Sequence, residues 1–182
     1  YTSVEVANDG KKGEAVIRAT GAVSGHRGLR VVTEYKLAEW AEYLTMKTTL
    51  ENRGPRKLSS VRLGDYVRWT NASTFFPGKG FRIRKPKFES GWIARRGRGS
   101  SFAWFVSQGK LASIVLTSHQ GSRYNSAMRL FVKRASLPRG KSLEYSRHLA
   151  VGQGDIADVT RILYEARALP HAQVSGVVRE KG

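Results

Sequence analysis

The residues best able to do chemistry are the cations and rings between positions 64 and 98. Lys79, Arg82, Arg84, Lys85 and Lys87 form one basic run and Arg95, Arg96 and Arg98 a second, with Glu89 alone opposing them. Tyr66, Trp69, Phe75, Phe76, Phe81 and Trp92 are interleaved with them. Flat aromatic faces stack on sugar rings or unpaired bases, while guanidinium and ammonium groups hold the phosphates or carboxylates that such polymers carry. The spacing therefore predicts an anion-binding surface built from Arg82, Arg84, Lys85, Lys87, Arg95, Arg96 and Arg98, with Phe76, Phe81 and Trp92 as stacking groups. Set against this is the ordinary use of aromatics in a sandwich core: in Tyr66–Thr70 the alternation puts Trp69 with Val67 on one face.

Other chemistries find less support. His26, His119, His148 and His171 are far apart and show no HxxxH or HExxH spacing, so neither a metal site nor a cofactor is expected. There is no GxSxG elbow, and the 14 acids form no evident catalytic pair. Gly78-Lys79-Gly80 and Gly97-Arg98-Gly99 lack phosphate-loop spacing and read as β-turns. Nucleic-acid signatures are also missing: no RNP aromatics, no KH loop and no helix-turn-helix. Enzymatic activity within the chain is not expected.

The elements that must position these residues have a period of two. Glu14–Thr20 and Tyr43–Leu50 alternate apolar and polar residues, and shorter strand-like segments recur at 3–7, 29–37, 59–63, 66–70, 91–94, 102–107, 112–117, 127–133 and 143–150. Glycine-, proline- and asparagine-rich turns separate them. About ten short strands argue for an all-β fold, an antiparallel β-sandwich, with one exception near the end of the chain. Asp155 to Leu169 reads as an α-helix, with Asp155 as N-cap, Ile156, Val159, Ile162, Leu163 and Ala166 as its apolar stripe, and Pro170 as its stop. The expected organisation is a sandwich over 1–170, with residues 171–182 forming a linker and, in the alternating run 172–178, the first strand of a following module cut off by the chain end.

Composition fits a folded chain. Of 182 residues, 40% are hydrophobic and 10% aromatic, so a net charge of +18 does not signal disorder. Cysteine is absent, which excludes disulfides and zinc-thiolate sites. The charge is uneven: residues 79–147 hold 16 basic and 2 acidic side chains, net +14, and the last 35 residues are neutral. Such a field attracts anionic polymers, polysaccharide or nucleic acid alike, although a solvated basic surface that serves only solubility gives the same count.

Four segments carry a family resemblance: Val31-Val32-Thr33-Glu34-Tyr35-Lys36-Leu37; Tyr43 through Gly54; Gly64-Asp65-Tyr66-Val67 with Phe76-Pro77-Gly78; and Tyr145 through Asp155. Together they resemble the β-sandwich module of bacterial exported multidomain proteins, which is similar to the galactose-mutarotase-type supersandwich. In some members that module precedes a PHP-type metallohydrolase domain, and Val174-Ser175-Gly176-Val177-Val178-Arg179 resembles the opening strand of a carboxypeptidase-regulatory-like repeat. The resemblance implies an accessory role at the cell surface or outside the cell, with any metal ligands in neighbouring domains. The chain departs from it in charge, since Lys36, Arg53, Arg123 and Arg139 stand where such modules more ordinarily carry neutral or acidic residues.

Overall fold

A computed structural model describes residues 1–70, 72–81, 87–118, 125–131 and 134–170, with backbone only at 68–70, 87–88, 111–118, 125–129 and 131. It contains fourteen strands and one helix among these residues. Eight strands make the main antiparallel sheet. In spatial order they are β1 (Ser3–Asp9), β2 (Ala15–Ala22), β3 (Leu29–Leu37), β4 (Tyr43–Asn52), β14 (Ser142–Gly152), β10 (Ser101–Phe105), β9 (Trp92–Arg96) and β7 (Ser73–Phe75). A second sheet runs β6 (Gly64–Thr70), β12 (Asn125–Phe131), β11 (Leu111–Ser118) and β8 (Lys87–Ser90), and β13 (Ala135–Leu137) pairs with β5 (Leu58–Val61). The expected all-β sandwich with a single C-terminal helix is thus observed. It has more strands than the alternation suggested because β7, β8 and β13, at three or four residues, are too short to show a period. Residues 171–182, where a further strand was expected, lie outside the described residues.

The main sheet is covered on both faces at its centre. On one face Leu29, Met46, Leu50, Ile93, Trp104 and Tyr145 pack against Val61, Leu130 and Leu137 from the smaller sheets and Leu63 from the link between β5 and β6. On the other face α1 (Ile156–Ala166) seats Ile156, Val159, Ile162 and Leu163 over Trp92, Ala94, Ala103, Phe105 and Ala150. Register explains the seat. Ala94 pairs with Ala103, and Ala103 with Ala150, so three methyl groups form one row across β9, β10 and β14, and the helix can approach closely.

The helix ends are capped as its sequence asks. Asp155 accepts a hydrogen bond from the Ala157 N–H, at 3.0 Å, and Asp158 lies in the first turn. At the other end the helix stops three residues short of Leu169. Ala168 takes a left-handed backbone (φ 49°), and the Leu169 and Ala168 N–H groups donate to the Tyr164 and Glu165 carbonyls at 2.9 and 3.0 Å. This six-to-one and five-to-two pattern closes the helix before Pro170 is reached. A second left-handed residue, Trp40, stands 91% exposed in the loop between β3 and β4.

Candidate functional site

Phe76-Pro77-Gly78-Lys79-Gly80 forms a tight turn. The Phe76 N–H donates to the Gly80 carbonyl at 2.9 Å and the Gly80 N–H returns the bond at 3.0 Å. Gly78 and Gly80 both have φ near +69°, a conformation that β-carbons disfavour. The turn delivers Phe81, 43% exposed, beside the outward end of β9. Arg96 and Arg98 are exposed on the hairpin joining β9 to β10, which closes with the Gly97 N–H donating to the Ser100 carbonyl at 2.8 Å. The Arg96 guanidinium lies over the Phe81 ring, 5.1 Å from its centroid. Phe81 and Arg96 are thus exposed and in contact, and Arg98 is exposed two residues further along the same hairpin.

Other members of the expected set lie elsewhere. Arg95 is 1% exposed, on the inter-sheet face with Ile93, and donates to the Ala72 carbonyl. Burial lowers its pKa to about 10. Phe76 is 2% exposed and packs in the inter-sheet core, while Trp92 is 8% exposed beneath α1. The reason is the same for Arg95 and Trp92: β9 is sandwiched on both faces, so consecutive residues are covered whatever their polarity. Arg95 and Phe76 therefore offer no surface to a polymer in this structure, and Trp92 offers only the small part of its ring that lines the groove described below. Arg82, Arg84 and Lys85 lie outside the described residues, as does the side chain of Lys87, whose backbone begins β8.

A groove of about 510 Å³ opens between this turn and α1. Phe75, Pro77, Gly78 and Trp92 form one wall, and Ala157, Thr160, Arg161, Tyr164 and Glu165 form the other. Phe75 stacks on Trp92 at 5.9 Å with an interplanar angle of 18°, and meets Phe81 edge-on at 5.3 Å. An unbroken aromatic run thus leads from the groove out to the Phe81–Arg96 pair. The helix wall is electrically balanced: Arg161 bonds Glu42 at 2.5 Å and Glu165 at 3.2 Å, which raises the Arg161 pKa and lowers that of Glu42. Net positive charge therefore sits at the turn and hairpin, with Lys79, Arg96 and Arg98. The helix wall was missed in the sequence, although Ala157, Thr160, Arg161 and Tyr164 fall at helical spacing beside the apolar stripe.

A second polar centre lies between the sheets. Arg147 of β14 donates to Asp65 of β6 at 2.7 Å, to Thr48 Oγ1 at 2.6 Å and to the Met46 carbonyl at 3.3 Å. Thr48 is linked on to Thr33 (2.9 Å), and Thr33 to the Tyr1 hydroxyl (3.0 Å). Burial raises the Asp65 pKa even though Arg147 opposes that shift. His26 lines a cleft of about 410 Å³ above this network, whereas His148 faces α1 on the opposite side of the sheet. The two do not converge, and among the described residues no group of three or more His, Asp or Glu could hold a metal ion. No helix among the described residues is long and apolar enough to cross a membrane.

No family model matches the chain, and no curated protein matches it in sequence. Solved structures do match in fold. The galactosidase domain of an alpha-galactosidase–sucrose kinase superposes with a TM-score of 0.60 at 11% identity, over 83% of this chain and 26% of that one. A candidate aldose 1-epimerase from Klebsiella pneumoniae gives 0.54 at 12% identity, over 91% of this chain and 57% of that one. A galactose mutarotase-like protein from Lactobacillus casei gives 0.52 at 9% identity, covering 81% and 72%. The chain thus spans about a quarter and just over half of the first two, and the β-sandwich is of the galactose-mutarotase-like kind.

Proposed function

We propose that this chain is an accessory binding module that holds an anionic polysaccharide along the groove between the Phe76–Gly80 turn and α1. The observation that carries the reading is the continuous run Trp92–Phe75–Phe81 with Arg96 lying over its outer ring. Sugar rings stack on such faces, and Arg96, Arg98 and Lys79 meet the carboxylate or sulfate groups. The basic runs at 82–87 and the net +14 of residues 79–147 add long-range attraction. Carbohydrate-related names among the fold neighbours favour a glycan over a nucleic acid. On this reading the module serves catalysis carried out by other domains of a bacterial exported protein, a PHP-type metallohydrolase or a carboxypeptidase-regulatory-like repeat being the expected neighbours.

Affinity for heparin and polygalacturonate across a salt series tests this. Phe81→Ala weakens binding about tenfold at fixed salt, in the range of one lost stacking contact. Arg96→Ala with Arg98→Ala also lowers the slope of affinity against salt. Unchanged affinity in both variants overturns the localised site and leaves diffuse basic charge as the whole effect. Tighter binding of single-stranded DNA than of an equally charged polysaccharide at the same salt overturns the glycan assignment in favour of nucleic acid.

A further inference from the structure

Three adjacent strands place two hydroxyls and an imidazole together on the helix-covered face of the main sheet. Thr45 on β4 is the register partner of His148 on β14, and His148 is the partner of Phe105 at the end of β10. Ser107 lies two residues beyond Phe105, which returns its side chain to the same face. Its Oγ is 2.5 Å from His148 Nε2, and Thr45 Oγ1 is 3.0 Å from His148 Nδ1. Ser107 itself is exposed on the turn after β10. The imidazole is buried between the rings of Tyr43, at 5.2 Å, and Phe105, at 4.9 Å, and this burial holds its pKa below the usual 6.5. A neutral imidazole has one N–H and one lone pair. In the tautomer that carries its proton on Nδ1, Thr45 Oγ1 accepts that bond and the lone pair on Nε2 faces the Ser107 hydroxyl.

From this geometry we propose that Ser107 is a nucleophile activated by His148 as general base, with Thr45 as positioning residue, acting on acyl esters that approach from solvent. A hydroxyl within hydrogen-bond reach of a base that a third group orients is the arrangement nucleophilic catalysis requires. Ser107 Oγ bonds to the ester carbonyl carbon as its proton passes to Nε2. The carbon–oxygen bond to the alcohol then breaks, and His148 returns the proton to the departing oxygen. Water, losing a proton to the same nitrogen, attacks the acyl-serine, and the carboxylic acid leaves as Ser107 regains its hydrogen. The turn that carries Ser107 is fixed at both sides: the Val106 N–H donates to the Gly91 carbonyl at 3.0 Å, and Arg167 donates to the Gly109 carbonyl at 3.2 Å. No short motif announces the pair, because Ser107 and His148 are 41 residues apart and meet through strand register. This activity is separate from polymer binding, and neither reading rests on the other.

The full chain is treated with a fluorophosphonate probe, with p-nitrophenyl acetate hydrolysis followed in parallel. One equivalent of label on Ser107, found by mass spectrometry and lost in Ser107→Ala, is the expected result. His148→Gln slows labelling about a hundredfold or more, the scale of general-base assistance. Thr45→Val slows it about tenfold and Thr45→Ser restores it, a rescue that a purely structural contact does not predict for labelling rate. The proposal is overturned if Ser107 reacts no faster than other exposed serines of the folded protein. It is equally overturned if Thr45→Val or His148→Gln, with circular dichroism and melting preserved, labels at the native rate.

Discussion

Strands β9, β10 and β14 are covered by α1 on one face and by the smaller sheets on the other, whereas all seven residues of β1 are exposed. Charge is handled differently at the two places. At the open end a cross-strand row alternates in sign: Glu5 faces Arg18, Arg18 faces Glu34, and Glu34 faces Lys47. Its members bond at 3.1 Å (Arg18–Glu5) and 2.9 Å (Arg18–Glu34), and Lys47 reaches Glu144 at 2.9 Å, with solvent beside each pair. In the covered region Arg147 has oxygens built around it and donates to Asp65, Thr48 and the Met46 carbonyl. The difference teaches where the acids of a basic protein are needed: in the covered region to neutralise a buried charge, at the open end to set the register of an edge strand.

Substitutions sharpen the contrast in descending order. Arg147→Met removes one partner of the buried pair and leaves Asp65 uncompensated, costing about 3–5 kcal/mol in denaturant unfolding, while the double change with Asp65→Leu recovers much of that loss. A double variant no better than the single one breaks the claim that pairing, rather than packing, governs the covered region. Ala103→Leu forces bulk into the row of methyl groups under α1 and costs about 1–3 kcal/mol, read in the same way.

His148 comes next, through pH. The unfolded imidazole takes up a proton near 6.5, and the buried folded one resists until lower pH. Between those points the unfolded state binds more protons, so stability falls as pH drops below about 6.5, by at most about 1.4 kcal/mol per pH unit, and is flat in this group above it. Melts from pH 8 to 5 with His148→Gln as reference isolate the difference. Smallest is Arg18→Ala, whose exposed pairs are screened. Its melting midpoint stays close to native, and any shift disappears by about 1 M salt. A large salt-independent loss there breaks the contrast from the other side.

Much of the architecture is legible in the residues. Period-two runs mark β2 and β4, Asp155 marks the helix start, and the apolar stripe picks out the four residues α1 buries. The helix end is misplaced by three residues because Ala168, not a glycine, adopts the left-handed turn. The candidate site is half legible. Phe81, Arg96 and Arg98 are exposed as their turn contexts suggest, yet Arg95 and Trp92 follow from burial on both faces, which no alternation reveals. The unbroken apolar Trp92-Ile93-Ala94 was the available signal: a strand without polar alternation is covered twice, and the arginine after it enters the core. Ser107, Thr45 and His148 were unreadable for a stronger reason. Their meeting depends on which strands are neighbours and in what register, and short-range pattern carries neither.

Trp40 and Trp92, two of the four tryptophans, sit in contrasting optical environments. Trp40, on its left-handed loop, is bathed in water, so its fluorescence is red-shifted and open to a dissolved quencher; Trp92 is stacked on Phe75 beside the groove, so its emission is bluer and shielded. With Trp69 and Trp104 replaced by phenylalanine, a glycan entering the groove alters the second signal and leaves the first as an internal reference, so occupancy can be reported without an attached dye.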